Sequence, residues 1–190
     1  MRVLSRRALP PLAASAKLES HVLDLERLEE RPALLAVEQV ICALGTTIKV
    51  AGSRERFREV DFGIPLAAAR IALGQGARHL LLVSSIGASA RSRNFYLRVK
   101  GELEDALRGL GFRGVTIVRP SLLLGERKEF RLGEEIFKRL AFLPLGRYRP
   151  IHARDVAAAL VRAAKDDQPG VRIIESAEMR SRGASAARGG

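Results

Sequence analysis

Tyr96 and Lys100 are the two side chains whose types and spacing best suggest chemistry in this sequence. A spacing of four residues would place them on one face of a helix. There the lysine charge would favour the ionised phenol, and its ammonium could hold the ribose of a bound nucleotide. Because any helix can carry such a pair by chance, the spacing alone is a weak signal.

Two hydroxyls just upstream strengthen this interpretation. The apolar run over His79–Ser84 predicts a buried strand, and Ser84 and Ser85 stand at its end. A serine at that point could hydrogen-bond a carbonyl or an alcohol that is being reduced or oxidised. The alternative is that each hydroxyl only satisfies backbone groups at the end of the strand.

Short apolar runs alternate with amphipathic segments along most of the chain. The runs predict strands at Arg2–Ser5, His21–Leu23, Gln39–Leu44, His79–Ser84, Val115–Val118 and Val171–Ile174. The segments between them predict helices from Ser53 to about Leu73 with a kink at Pro65, and over Phe95–Leu110, Leu132–Leu140 and Ala153–Lys165. This alternation predicts an α/β fold with a doubly wound parallel sheet, whose ligands bind at the carboxyl ends of the strands.

Composition narrows the class of protein. With 190 residues, 47% of them apolar, the chain is expected to form one domain over residues 1–175, followed by a disordered basic tail over 176–190. No apolar run approaches the roughly 18–20 residues of a membrane span. The net charge of +12 is spread along the chain and only 5% of the residues are aromatic, so nucleic-acid binding is not expected. The three histidines lie far apart, which argues against a metal site.

The sequence resembles the short-chain dehydrogenase/reductase superfamily, and more narrowly its atypical branch of Tat-interacting-protein-like oxidoreductases. The resemblance runs from Arg2 to about Ile174. The segments that carry it are Cys42–Thr47 with Ala51–Ser53, His79–Ser85 with Gly87 and Ala88, Ser92–Glu102, and Arg119–Arg127. It implies a Rossmann-like fold and hydride transfer between NAD(P)(H) and a carbonyl or alcohol carbon. Tyr96 would then be the general acid/base, Lys100 its helper, and Ser85 the group that orients the substrate oxygen.

The resemblance also implies which residues would contact the dinucleotide. Arg6 and Arg7 follow a strand at a point where arginine suits a 2′-phosphate, so NADP(H) is favoured over NAD(H). The backbone of Gly45 and Thr46 would face the ribose and phosphates, and Asp24 would flank the adenine unless it only caps a helix. The remaining expected contacts come from Ser84, Tyr96, Lys100, Leu123 and Arg131.

One departure from the family is expected to matter. The family opens with a strand, a Gly-rich turn and a helix that receives the pyrophosphate, whereas this sequence has no G-x-x-G-x-x-G and starts at what resembles the second strand. We therefore expect a truncated form whose sheet lacks its first strand, with lower stability and impaired cofactor binding.

Three functions remain open at this point. The first is an oxidoreductase acting on an unknown small molecule. The second is a non-catalytic NADP(H)-binding regulatory or protein-interaction module. The third is a nucleotide-sugar epimerase, against which the shortness of the chain counts. A homodimer or a protein partner is left open, and the lack of a secretory signal predicts a cytoplasmic location.

Overall fold

Strands and helices alternate through residues 1–8, 17–124 and 149–180, which are the residues that the computed structural model describes. The strands are β1 (Arg2–Ser5), β2 (Glu19–Val22), β3 (Gln39–Cys42), β4 (His79–Val83), β5 (Gly114–Arg119), β6 (Leu123–Leu124), β7 (Ile151–His152) and β8 (Gly170–Glu175). The α-helices are α1 (Ile48–Ala51), α2 (Arg54–Arg58), α3 (Ile64–Gly74), α4 (Phe95–Arg108) and α5 (Ala153–Asp166). Two 3₁₀ helices span Leu25–Glu30 and Pro32–Leu35, and a π-helical segment spans Glu59–Gly63.

The main sheet has four parallel strands in the order β3-β4-β5-β8. A second parallel pair joins β1 to β2, and a third joins β6 to β7. Successive residues of β4 point to opposite faces of the sheet, so that Leu80 and Leu82 enter one apolar core while Leu81 enters the other. Helices α3 and α4 cover the first face and α5 covers the second. The predicted doubly wound, Rossmann-like α/β fold is therefore confirmed.

The predicted long helix after Ser53 is present but not uniform. The Ser53 hydroxyl accepts a hydrogen bond from the amide of Arg56 at 3.1 Å and so caps α2. The chain then passes through the π-helical segment before α3 begins. Pro65, where a kink was expected, lies in the first turn of α3, a position where its missing N–H costs no hydrogen bond. The irregularity therefore lies just before the proline.

The ends of several elements differ from the sequence predictions. Residues 176–180 are helical, and Met179 is buried among residues of the second core, so the predicted domain end at 175 is too early. The remainder of the predicted tail and the predicted helix over 132–140 lie outside the described residues. The four-residue helix α1 was not expected, because four residues are too few to show a helical period.

The predicted absence of a first strand stays a prediction. Among the described residues, β1 pairs with β2 and β3 pairs with β4, and no ladder joins β1 to β3. Leu4 and Leu23 nonetheless pack against the first apolar core. Within the same residues, no helix is both long and apolar enough to cross a bilayer.

Candidate functional site

Helix α4 presents the predicted Tyr/Lys pair. Asn94 caps the helix by accepting a hydrogen bond from the amide of Leu97 at 3.2 Å. Tyr96 is half-buried, and its ring centre lies 5.6 Å from that of Phe57 at a tilt of 50°. Lys100, one turn further along, is only 4% exposed. The helix therefore holds the phenol near the surface and the ammonium inside the protein.

The partner of the lysine is Asp61, a residue that the sequence analysis did not identify. The Lys100 Nζ lies 2.7 Å from Asp61 Oδ1. The other carboxylate oxygen, Oδ2, accepts a hydrogen bond from the amide of Thr46 at 2.7 Å. Asp61 is fully buried in the π-helical segment, which packs against α4. An acid inside the apolar stretch Val60–Ile64 was the one signal in the sequence.

The electrostatics of this pair follow from burial and from opposing charges. Burial disfavours the Lys100 ammonium, but the charges of ionised Tyr96 and of Asp61 outweigh that effect and raise the pKa of Lys100. Burial raises the pKa of Asp61, while Lys100 and the Thr46 amide oppose the rise. Because both carboxylate oxygens face donors, we treat the pair as ionised. The site thus holds a fixed positive charge beside a phenol.

Gly45 and Thr46 lie directly against the pair, as the prediction for this turn requires. A Cβ added to Gly45 would lie 3.4 Å from Asp61 Oδ1 and 3.5 Å from Lys100 Nζ. Gly45 is itself exposed. The turn after β3 therefore leaves the ion pair approachable over a residue that has no side chain.

The two serines after β4 have different surroundings. Ser84 is buried, and its hydroxyl donates to the Glu104 carboxylate at 2.6 Å. Arg119 holds the same carboxylate at 2.6 Å, so this hydroxyl belongs to a buried polar network rather than to an open site. That placement argues against the predicted cofactor contact of Ser84. Ser85 is half-buried, and the nearest acceptor to its hydroxyl is the carbonyl of Ile86 at 3.4 Å. Ser85 is the serine left available to a ligand.

The other predicted contacts are not gathered at this site. Arg6 and Arg7 are exposed just after β1. Asp24 caps the first 3₁₀ helix by accepting from the amide of Glu26 at 3.0 Å, which is the structural role that the sequence left open. Leu123 packs against the second apolar core. Arg131 lies outside the described residues.

The residues after β3 fit the ribose and nicotinamide side of a dinucleotide. Glycine backbone, a buried ammonium and a nearby phenol are the groups that such a ligand needs. The fit does not extend to the diphosphate. A Gly-x-Gly-x-x-Gly spacing does occur at Gly109, Gly111 and Gly114, but it leads from α4 into β5. That polarity is the reverse of the strand-to-helix turn that presents amides to phosphate. No cluster of three metal-ligating side chains occurs in the described part of the chain.

Comparison with known proteins places the chain among fungal relatives. No protein-family model matches it. Protein FMP52-1, mitochondrial, of Scheffersomyces stipitis is 36% identical over 192 positions, which cover 93% of this chain and 83% of the relative. Protein FMP52, mitochondrial, of Eremothecium gossypii is 35% identical and covers 94% and 83%. The Candida albicans protein of that name is 41% identical over a shorter match, 64% of this chain and 56% of the relative.

Solved structures confirm the fold. MoeE5 in complex with UDP-glucose and NAD superposes with a TM-score of 0.70 at 16% identity, covering 98% of this chain and 73% of that one. The Bordetella bronchiseptica enzyme WbmG in complex with NAD gives a TM-score of 0.66 at 17% identity, covering 93% and 64%. At such identities the likeness concerns the fold alone.

The predicted cytoplasmic location is wrong. The relatives that cover most of this chain are named mitochondrial. The prediction rested on the lack of a secretory signal, which says nothing about import into mitochondria.

Proposed function

The chain belongs to the FMP52 protein family, and from its site we propose that it is a nicotinamide-dinucleotide-dependent oxidoreductase of the short-chain dehydrogenase/reductase type. The observation that carries the proposal is the Lys100 ammonium, buried and held beside an exposed glycine turn at the carboxyl end of a parallel strand. Tyr96 stands one helical turn away from it. The membership of the Tat-interacting-protein-like branch is part of this proposal.

In the proposed reaction, each side chain has one task. Tyr96 gives its phenolic proton to the oxygen of a carbonyl substrate, or takes it back from the alcohol in reverse. Lys100 stabilises the phenolate that remains, and its free N–H groups hold ribose hydroxyls. Ser85 donates a hydrogen bond to the substrate oxygen. The dinucleotide, when bound, supplies or accepts the hydride, so that carbonyl, hydride and proton together give the alcohol.

We further propose NADP(H) as the preferred dinucleotide. Arg6 and Arg7 are exposed at the carboxyl end of β1. A guanidinium binds a phosphate monoester through paired, charge-assisted hydrogen bonds, which the 2′-hydroxyl of NAD(H) would not offer. Replacing both residues by alanine should weaken NADPH more than NADH, by on the order of tenfold. Arg70→Ala, an exposed arginine on α3, is the matched control.

The direct test combines binding with turnover. NADPH binding is measured by fluorescence, and its oxidation is followed with a panel of aldehydes, ketones and UDP-glucose for wild type, Tyr96→Phe and Lys100→Met. We expect Tyr96→Phe to keep binding but to lose turnover on the order of a hundredfold or more, and Lys100→Met to lose both. Lys165→Met, at an exposed lysine, should change neither. Binding without turnover of any substrate would support a regulatory module instead, and interconversion of the sugar without net oxidation would support an epimerase.

We also propose a mitochondrial location. The names of the relatives support it. A tagged chain should fractionate with mitochondria in a fungal cell, and recovery in the cytosolic fraction alone would contradict the proposal.

A further inference from the structure

We propose that Asp61 is the residue that positions Lys100, by holding its ammonium against the turn at Gly45 and Thr46. The inference rests on the proposed function, because Lys100 matters for catalysis only if the site binds a dinucleotide. Asp61 itself is a positioning residue, since it reaches a ligand only through the lysine.

Burial makes the pairing obligatory. Asp61 has no exposed surface and the side chain of Lys100 is 5% exposed, so neither charge can be hydrated. An unpaired charge in such surroundings is strongly disfavoured. A lysine side chain is long and has many rotamers, and a single buried acceptor at its tip selects those that reach it. The position of the ammonium is therefore set by the position of the carboxylate.

The second carboxylate oxygen ties this position to the glycine turn. Because Oδ2 accepts from the Thr46 amide, Asp61 joins the turn after β3 to α4. The π-helical segment supplies the carboxylate at this junction. Such segments are rare in helices and are frequently found at functional sites. One residue thus fixes the distance between the backbone over which a ligand would approach and the charge that would hold it.

The ammonium keeps donors for a ligand after this pairing. It has three N–H groups, and Asp61 occupies one. The charged or titratable groups that face Lys100 are Asp61 from the π-helical segment, Tyr96 from its own helix and Cys42 from β3. Removing the Asp61 charge would leave the ammonium among groups that are neutral at neutral pH and buried.

The test uses Asp61→Asn, which keeps the shape and removes the charge. Glu59→Gln is the matched control, because Glu59 belongs to the same segment but is exposed and pairs with Arg56. With ¹³C-labelled lysine, the chain gives six lysine signals, of which Lys100 is assigned with Lys100→Arg. We expect the pKa of Lys100 to fall in Asp61→Asn and to stay unchanged in Glu59→Gln. An unchanged titration of Lys100 in folded Asp61→Asn would overturn the inference.

Binding and turnover then decide whether the positioning serves the reaction. Asp61→Asn should weaken NADPH binding, and it should reduce turnover by on the order of a hundredfold. A shifted lysine with unchanged binding and turnover would refute the functional role. If wild type turns over no substrate, the proposed function fails, while the lysine titration still tests the contact.

A double variant keeps the inference testable if Asp61→Asn does not fold. Removing both charges in Asp61→Asn/Lys100→Met should restore folding, because no unpaired buried charge remains. Equal instability of the double variant and of Asp61→Asn would show that the two residues are not coupled and would overturn the inference.

Discussion

A methyl group at position 101 tests how closely α4 lies against the loop after β4. Gly101 directly follows Lys100 in the helix. A Cβ built on it would lie 2.2 Å from the backbone nitrogen of Ala90 and 2.2 Å from the carbonyl carbon of Ser89. Carbon atoms in contact lie about 3.5–4.0 Å apart, and the obstacle is backbone rather than the tip of a side chain. Gly101→Ala must therefore push the loop and the helix apart by more than an ångström, on the order of the gap between these distances.

The expected loss of stability follows from three contributions. Replacing glycine by alanine inside a helix favours folding by about 1 kcal/mol. Overpacking against backbone costs about 1–3 kcal/mol. Separation also breaks the hydrogen bond from the Ser89 amide to the Leu97 carbonyl, now 3.1 Å, for about a further 1 kcal/mol. Gly101→Ala should therefore lower the free energy of unfolding by about 1–3 kcal/mol, or the Tm by about 2–4 °C for each kcal/mol.

The control is Gly109→Ala at the end of the same helix. Its added Cβ would lie 3.6 Å and 3.8 Å from the carbonyl oxygens of Ala106 and Asp105, which is ordinary contact, and its φ of −80° suits any residue. Urea unfolding followed by circular dichroism should show this variant to be near wild type or slightly more stable. If Gly101→Ala is also as stable as wild type, the close approach of the loop to α4 is not present in solution, and the inferred placement of Ser85 fails with it.

Three further predictions concern single residues of the two strands and the loop that frame the site. Ser84→Ala should lower the free energy of unfolding by about 1–3 kcal/mol, because its hydroxyl donates to a buried carboxylate, whereas Ser85→Ala should change it by less than about 0.5 kcal/mol and reduce turnover. Burial lowers the pKa of His79, so the unfolded chain takes up a proton below about pH 6.5 while the folded chain does not; stability in urea should therefore fall as the pH drops from there toward the folded-state pKa, and His79→Gln should remove that dependence. Burial raises the pKa of the Cys42 thiol, so a disulfide reagent should label it at least about ten times more slowly in the folded chain than in urea.

The strands and long helices could be predicted because their signals are local. The strand β4 is buried on both faces and is therefore a continuous apolar run, and Ser53 announces a helix by its capping chemistry. The two-residue strands β6 and β7 carry no period that a sequence could show. The extension of order past residue 175 depends on Met179 finding a place in the second core, which only the assembled fold determines.

The site was predictable to the same extent. Tyr96 and Lys100 belong to one helix, so their spacing alone places them on one face. Asp61 lies far from them in sequence, and only the packing of the π-helical segment against α4 brings the charges together. The choice between Ser84 and Ser85 could not be made either, because it depends on where Glu104 places its carboxylate.

Helix α4 links these outcomes through one stripe of side chains. Tyr96, Lys100 and Glu104 follow each other at intervals of four residues, so they share a face. Lys100 is paired with Asp61, and Glu104 is paired with Arg119 and Ser84. Buried pairs of this kind add little net stability, yet breaking one leaves a buried charge unpaired. A helix anchored by two of them has only one acceptable rotation and one acceptable register, and that constraint is what holds the phenol of Tyr96 within the narrow tolerance that proton transfer requires.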